Sequence, residues 1–292
     1  MAKEMAIELI NKQDWLDKAS EEIQPVVTNA FKAGGEAGQK VKNFLHGTWL
    51  GHPLHPVLTD VPVGAWTAAL ALDAMEAISG RKECGAGADA AIAVGLVGAV
   101  GAAVTGITDW SDVHGKSRKV GLMHGLLNMG GAALYTTSLV MRKRDSRRAG
   151  VGFAMLGYMM TGAAAYLGGH LVYADQIGVD HTADKKYTQE FVAVLADADL
   201  PENKLTRVEA KGLPVLLVRQ HGEIRAIAET CSHLGGPLAE GQLEGDSVRC
   251  PWHGSRFALK DGSVIDGPAT HPQPCFETRI VNGQIEVRAT KQ

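Results

Sequence analysis

Apolar residues are unevenly spread along the chain, and their spacing divides it into three stretches. Residues 4–32 place Leu9, Trp15, Leu16, Ile23, Val27 and Phe31 at helical spacing among Lys and Glu. That pattern predicts one or two amphipathic helices lying beside a membrane or packed on a soluble domain. The Gly-rich residues 34–38 read as a linker. Between 56 and 173 come four long apolar runs, at 57–78, 90–108, 120–141 and 149–173. The second is free of charge and near the ~20 residues a helix needs to cross a bilayer. Its Gly95, Gly98, Ala102 and Gly106 form the small face on which membrane helices approach closely. The first run is interrupted by Asp60, Asp73 and Glu76. Buried helices of a soluble bundle would be the alternative, but four consecutive runs with basic connectors predict four transmembrane helices. No internal repeat is evident.

After about residue 175 the pattern shortens to β-like runs at 191–195, 215–219, 224–228, 247–249, 278–281 and 285–288. The pairs His221-Gly222, Asp261-Gly262 and Asn282-Gly283 punctuate them, and Asn-Gly between two such runs is a strong hairpin signal. The expected fold is therefore α + β and multidomain, a four-helix transmembrane bundle followed by a small antiparallel all-β domain. The expected divisions are an amphipathic leader at 1–45, the membrane domain at 46–175, a linker at 176–188 and the β domain at 189–292.

Two domains suit a length of 292 residues. The formal net charge of −3, without a long basic run, gives no reason to expect a nucleic-acid partner. The four cysteines, Cys84, Cys231, Cys250 and Cys275, do not make a disulfide framework. The first forty or so residues are charged and lack an apolar core, so no cleavable secretory signal is expected.

Two of those cysteines lie in the text Cys231-Ser-His233-Leu-Gly-Gly-Pro-Leu and Cys250-Pro-Trp-His253-Gly-Ser-Arg-Phe. Two thiolates and two imidazoles on separate loops fit a [2Fe–2S] centre with Cys₂ on one iron and His₂ on the other. Zinc accepts the same ligand set, though zinc modules of this size do not usually carry such Gly-Pro loops inside a sheet. The wider text, from Ala226 through Gly235, Gly236, Pro237 and Gly241 to Phe257, Gly262 and Gly267-Pro268, resembles a Rieske domain over about residues 189–288.

The resemblance implies that Cys231, His233, Cys250 and His253 hold the cluster. It also implies that Ser255 stands where the family can place a hydroxyl bonding to the cluster, which would raise the reduction potential. Gly236 and Trp252 occupy the positions at which cytochrome bc-type members carry an extra disulfide, so the domain is more similar to Rieske ferredoxins and oxygenase modules. Because the chain ends at Gln292, the mononuclear-iron domain of a complete Rieske oxygenase is not expected. An electron-transfer protein or oxidoreductase component is.

The first apolar run opens on Gly51-His52-Pro53-Leu-His55-Pro56, which resembles an uncharacterised bacterial four-helix membrane family over roughly 45–175. Spans alternating in direction would bring His52, His55, His114, His124 and His170 to one face, shared with the Rieske domain. Ionisable groups inside spans are functional candidates. His124 and His170, with His55 substituting for either, are expected to hold a haem b, another metal or a quinone. The alternative is that they only hydrogen-bond carbonyls and lipid headgroups. The basic connector 142–148 argues for one orientation, and Lys40, Lys42, Lys116 and Lys119 for a cytoplasmic Rieske domain at the bacterial inner membrane. The expected function is membrane-bound electron transfer between donor and acceptor proteins or quinone, with lipid around the helices. A tethered ferredoxin for a separate oxygenase or reductase, and a redox sensor, are the alternatives.

Overall fold

A computed structural model describes residues 2–290 of the chain. Its described residues form seven α-helices and ten β-strands. They divide into a helical unit, Met1–Gly38 with Leu54–Gln176, and a β unit, Gln39–Pro53 with Ile177–Gln292.

The helical unit begins with α1 (Ala2–Asn11) and α2 (Asp14–Ala33). The expected linker at 34–38 is instead the break between α2 and α3 (Gly35–His46), with Gly35 in the left-handed region at φ 54°. Four long helices follow: α4 (Leu54–Ser79), α5 (Lys82–Trp110), α6 (Gly115–Lys143) and α7 (Arg147–Tyr173). Three of them, α4, α5 and α7, are long and apolar enough to cross a membrane, which corrects the expectation of four transmembrane helices. The reason lies in α6, whose apolar run is diluted by His124, Asn128 and Arg142, each bonded inside the bundle. The amphipathic leader is docked on this bundle. Leu16 is fully buried, and Gln24 Nε2 donates to the carbonyls of Trp110 and Val113, at 2.9 and 2.8 Å, where α5 runs out of intrahelical donors. Lys119 Nζ donates to Asn11 O at 2.9 Å and pairs with Asp17.

Neighbouring helices pack as α4 on α5 and α7, and α6 on α5 and α7, so α4 and α6 face each other across the bundle diagonal. Along that diagonal the structure reveals the internal repeat that the sequence reading missed. His55 meets His124, Trp66 stacks on Tyr135 at 4.1 Å, and Asp73 pairs with Arg142, each partner 69 residues further on. The outer helices repeat as well. His55 Nδ1 bonds Ala102 O of α5 and His124 Nδ1 bonds Ala164 O of α7, both at 2.8 Å. A Cβ on Gly95 would lie 2.2 Å from Trp66 Nε1, and one on Gly157 would lie 3.1 Å from Tyr135 Cε2. The α4–α5 and α6–α7 hairpins are thus two copies of one motif.

In the third layer the Arg142 guanidinium donates to Asp73 and Asp89 at 2.7 and 2.8 Å, and to Ser138 Oγ at 3.0 Å. Arg147 adds bonds to Glu76 and Asp89. Buried charges are tolerated only when paired and hydrogen-bonded in this way.

The β unit consists of two antiparallel sheets. The larger has the order β1 (Val192–Ala196), β10 (Gln284–Ala289), β9 (Cys275–Val281), β4 (Glu223–Ala228), β3 (Leu213–Gln220) and β2 (Thr206–Ala210). The smaller is β5 (Gln242–Glu244), β6 (Ser247–Arg249), β7 (Arg256–Ala258) and β8 (Val264–Asp266) in sequence order. Strand β3 alternates between two cores. Val215 and Leu217 face one with Ala226, Ile285 and Val287, while Leu216 and Val218 face the other with Leu238, Val248, Phe257 and both buried cysteines. The second core carries the cluster loops.

Candidate metal centre

Two loops of one design project from the β unit, the first between β4 and β5 and the second between β6 and β7. Cys231 N–H donates to Gly236 O and Cys250 N–H to Ser255 O, each at 2.8 Å. Gly235 N–H returns to Cys231 O at 2.9 Å, and Gly254 N–H to Cys250 O at 3.1 Å. Gly235 and Gly254 sit at φ 75° and 77°, a left-handed bend that other residues adopt at a cost. Each loop therefore curls around its own cysteine.

The curl aims backbone donors at sulfur. The N–H groups of His233 and Leu234 bond the Cys231 thiol, and those of Trp252 and His253 bond the Cys250 thiol. Of the two, Cys250 ionises first, drawn down to about 7 chiefly by its hydrogen bond with the Cys231 thiol. That same bond, together with burial, holds Cys231 well above its ordinary value. Both cysteines are buried, whereas His233 and His253 are half-buried with ring centroids 5.1 Å apart and near-perpendicular planes. Trp252 beside them is 54% exposed. Among the described residues no three His, Cys, Asp or Glu side chains converge on a single ion. A pair of inner thiolates and a pair of outer imidazoles suits a two-iron centre, in which each iron takes only two protein ligands.

Ser255 is fully buried, and its Oγ accepts Ala269 N–H at 3.0 Å, leaving the hydroxyl proton to donate elsewhere. All four cysteines are free thiols. A Cβ on Gly236 would lie 2.9 Å from Cys250 Sγ, so the first loop presses closely on the second.

A Rieske [2Fe–2S] domain model matches residues 190–277. Ferredoxin CarAc of Metapseudomonas resinovorans is 31% identical over 105 residues, which cover 36% of this chain and 98% of the ferredoxin. The chain belongs to the Rieske [2Fe–2S] family. Human apoptosis-inducing factor 3 is 38% identical over 100 residues, but these cover only 34% of the chain and 16% of that protein. A solved ferredoxin of carbazole 1,9a-dioxygenase from Nocardioides aromaticivorans matches at 24% identity, covering 34% of this chain and 98% of its own, with a TM-score of 0.33. Residues 51–181 match a family described as a predicted membrane protein (DUF2231). The chain is therefore a Rieske domain joined to a membrane-protein domain, and the Rieske domain implies a [2Fe–2S] cluster.

Several supports of the Rieske loops were not legible in the sequence. Asn43 Nδ2 donates to Asp266 Oδ1 at 3.0 Å and its Oδ1 accepts Gly267 N–H at 3.1 Å, while buried His46 packs on Gly267. His181 N–H donates to Ser232 O at 3.0 Å. With its amide turned to satisfy both partners, Gln273 accepts from Ser232 N–H and donates to Thr230 O. Contacts so distant in sequence leave no local signal.

In the helical unit the expected histidines separate. His55 and His124 come together, with centroids 6.3 Å apart and planes at 84°. His170 lies instead with Nε2 3.4 Å from Asp175.

Proposed function

We propose that this chain is a membrane-anchored Rieske electron carrier, serving a separate reductase or oxygenase through a cluster held by Cys231 and Cys250 on one iron and His233 and His253 on the other. The observation that carries the reading is the inside-out arrangement of the four ligands, thiols buried and imidazoles half-buried, in a domain similar to almost the whole of a ferredoxin. When bound, the cluster supplies a one-electron centre. Burial of Cys231 and Cys250 keeps water from the thiolates, and the four loop N–H groups hold their charge. His233 and His253 form the outer edge through which an electron would pass, and exposed Trp252 offers a partner an apolar contact beside them.

The helical unit anchors the carrier. Three apolar helices, α4, α5 and α7, support a membrane location. The bacterial inner membrane and a cytoplasmic Rieske domain fit the lysines flanking α4 and α6. The test is electron paramagnetic resonance of the dithionite-reduced, full-length protein recovered from the membrane fraction. The reading requires a Rieske signal with a low average g-value, absent in Cys231→Ser and in His253→Cys. A signal of the all-cysteine ferredoxin type, or retention of the Rieske signal in both variants, refutes it.

A further inference from the structure

We propose that α2 is an in-plane membrane helix, whose uncovered apolar face lies in the lipid interface at the end of the helical unit where α5 passes into α6. α2 lies outside the three apolar helices, and its placement rests on the membrane location read from them. At 3.6 residues per turn its residues fall on three faces. Leu16, Ser20 and Gln24 form the first and are buried on the bundle. About a quarter turn away, Trp15, Ala19, Ile23, Val26 and Ala30 form the second. Trp15, Ile23 and Val26 on that face are 49, 38 and 68% exposed. The third face carries Asp14, Lys18, Glu21 and Lys32. The bundle thus covers the more polar of the two inner faces and leaves the more apolar one out. In water that choice is unfavourable. A helix at a bilayer surface needs it, with one apolar face for lipid and a polar face for water.

The level of α2 along the bundle identifies lipid as the occupant. Its bonds from Gln24 to Trp110 O and Val113 O, and the ion pairs of Asp17 with Arg118 and Lys119, set it against the turn from α5 to α6. One turn before Trp110, Ile107 is still exposed, and Val104, Val100 and Val97 continue that apolar surface along α5. At a rise of about 1.5 Å per residue, Ile107 lies roughly 5 Å from Trp110 along the helix axis. The apolar band of α5 therefore ends at the level of α2, within the roughly 5–10 Å depth to which an interfacial helix sinks its apolar face. Trp15 suits that level, because tryptophan is enriched at membrane interfaces. The polar residues of α2 include Asp14, Asp17, Glu21 and Glu22 against Lys18 and Lys32, so burial of apolar side chains holds it, and anionic lipid is not required.

The test uses the full-length, cluster-loaded protein in phosphatidylcholine vesicles. In a Cys84→Ser/Cys275→Ser background, one nitroxide at a time is attached at Ile23→Cys, Val26→Cys, Lys18→Cys or Val97→Cys. Collisions with oxygen, which concentrates in lipid, and with a nickel chelate, which stays in water, read the depth of each label. The label at exposed Val97, midway along α5, checks the membrane location by itself. If it is open to the nickel chelate, that location is refuted, and the placement of α2 falls with it. We expect an oxygen-to-nickel collision ratio at least about threefold higher at Ile23 and Val26 than at Lys18. Adding anionic phosphatidylglycerol should leave the ratio unchanged. With Val97 in lipid, an aqueous ratio at Ile23 and Val26 overturns the proposal. So does shielding of both labels from both reagents, the mark of a protein partner or a second copy. A ratio that rises only with anionic lipid overturns apolar burial as its cause.

Discussion

Replacing Ser255 by Ala removes one hydroxyl from a site whose surroundings are otherwise fixed. Ser255 Oγ accepts from Ala269 N–H, and its proton remains to be donated from within the Cys250 loop. A donor there stabilises the reduced, more negative state of the cluster. A typical net hydrogen bond contributes about 0.5–1.5 kcal/mol, and a one-electron couple moves about 59 mV per factor of ten, so the midpoint should fall by roughly 20–65 mV. The substitution also leaves the buried Ala269 N–H without its acceptor, costing about 1–3 kcal/mol of stability, which should lower the thermal midpoint of the β unit. The two readouts have separate causes: the lost proton acts on one oxidation state, the lost acceptor on both. Film voltammetry at fixed pH, on protein with full cluster loading, measures the first. A midpoint unchanged within about 10 mV, with stability lowered as expected, would show that the hydroxyl proton does not reach the cluster and would refute the argument.

Three other outcomes are expected. Arg142→Leu should destabilise the helical unit by about 3 kcal/mol, the low end for breaking a buried pair because Arg147 stays 3.3 Å from Asp73. The Asp73→Leu/Arg142→Leu pair should recover most of that loss in a detergent–SDS titration followed by helical circular dichroism. Burial holds Glu229 above its ordinary value of 4.5 in the folded chain, so the folded state binds more protons between that value and the raised one, and stability falls as pH rises through this window. Glu229→Gln should therefore stabilise the β unit at pH 7–8, with the gain vanishing below about pH 4, as read by denaturant titration at each pH. The Rieske midpoint should fall as pH rises through the alkaline range, because reduction makes the half-buried imidazoles of His233 and His253 more basic. A flat voltammetric midpoint there would argue against their being ligands.

The cluster loops were legible because their chemistry is local: ligands, glycines and prolines lie within a few residues of each other. Strands β3, β4, β9 and β10 could be read because Gly-containing pairs punctuate them. Strand β2 was missed because Thr206, Arg207 and Glu209 dilute its apolar residues. Strands β5, β7 and β8 have three residues each and hold only one or two apolar residues apiece, so they show no period, whereas β6, equally short, was marked only by the turns around it. Nothing in the text placed Asn43 and His46 against Gly267, since Asn43 and Gly267 are 224 residues apart in the chain. The repeat escaped notice for a chemical reason. Two of its three layers pair unlike residues, Trp66 with Tyr135 and Asp73 with Arg142, so the copies match in geometry more than in sequence.

That mismatch bears on how the helical unit came to be one molecule. Two copies of the α4–α5 hairpin could reproduce the histidine layer and stack Trp66 on Trp66, but the third layer would set one Asp73 against another. Two copies of α6–α7 would oppose Arg142 to Arg142. Neither half can dimerise with its own duplicate without burying like charges, whereas each completes the other. A motif that began as a self-associating pair would, once fused and given opposite charges in this layer, be committed to closing within its own chain.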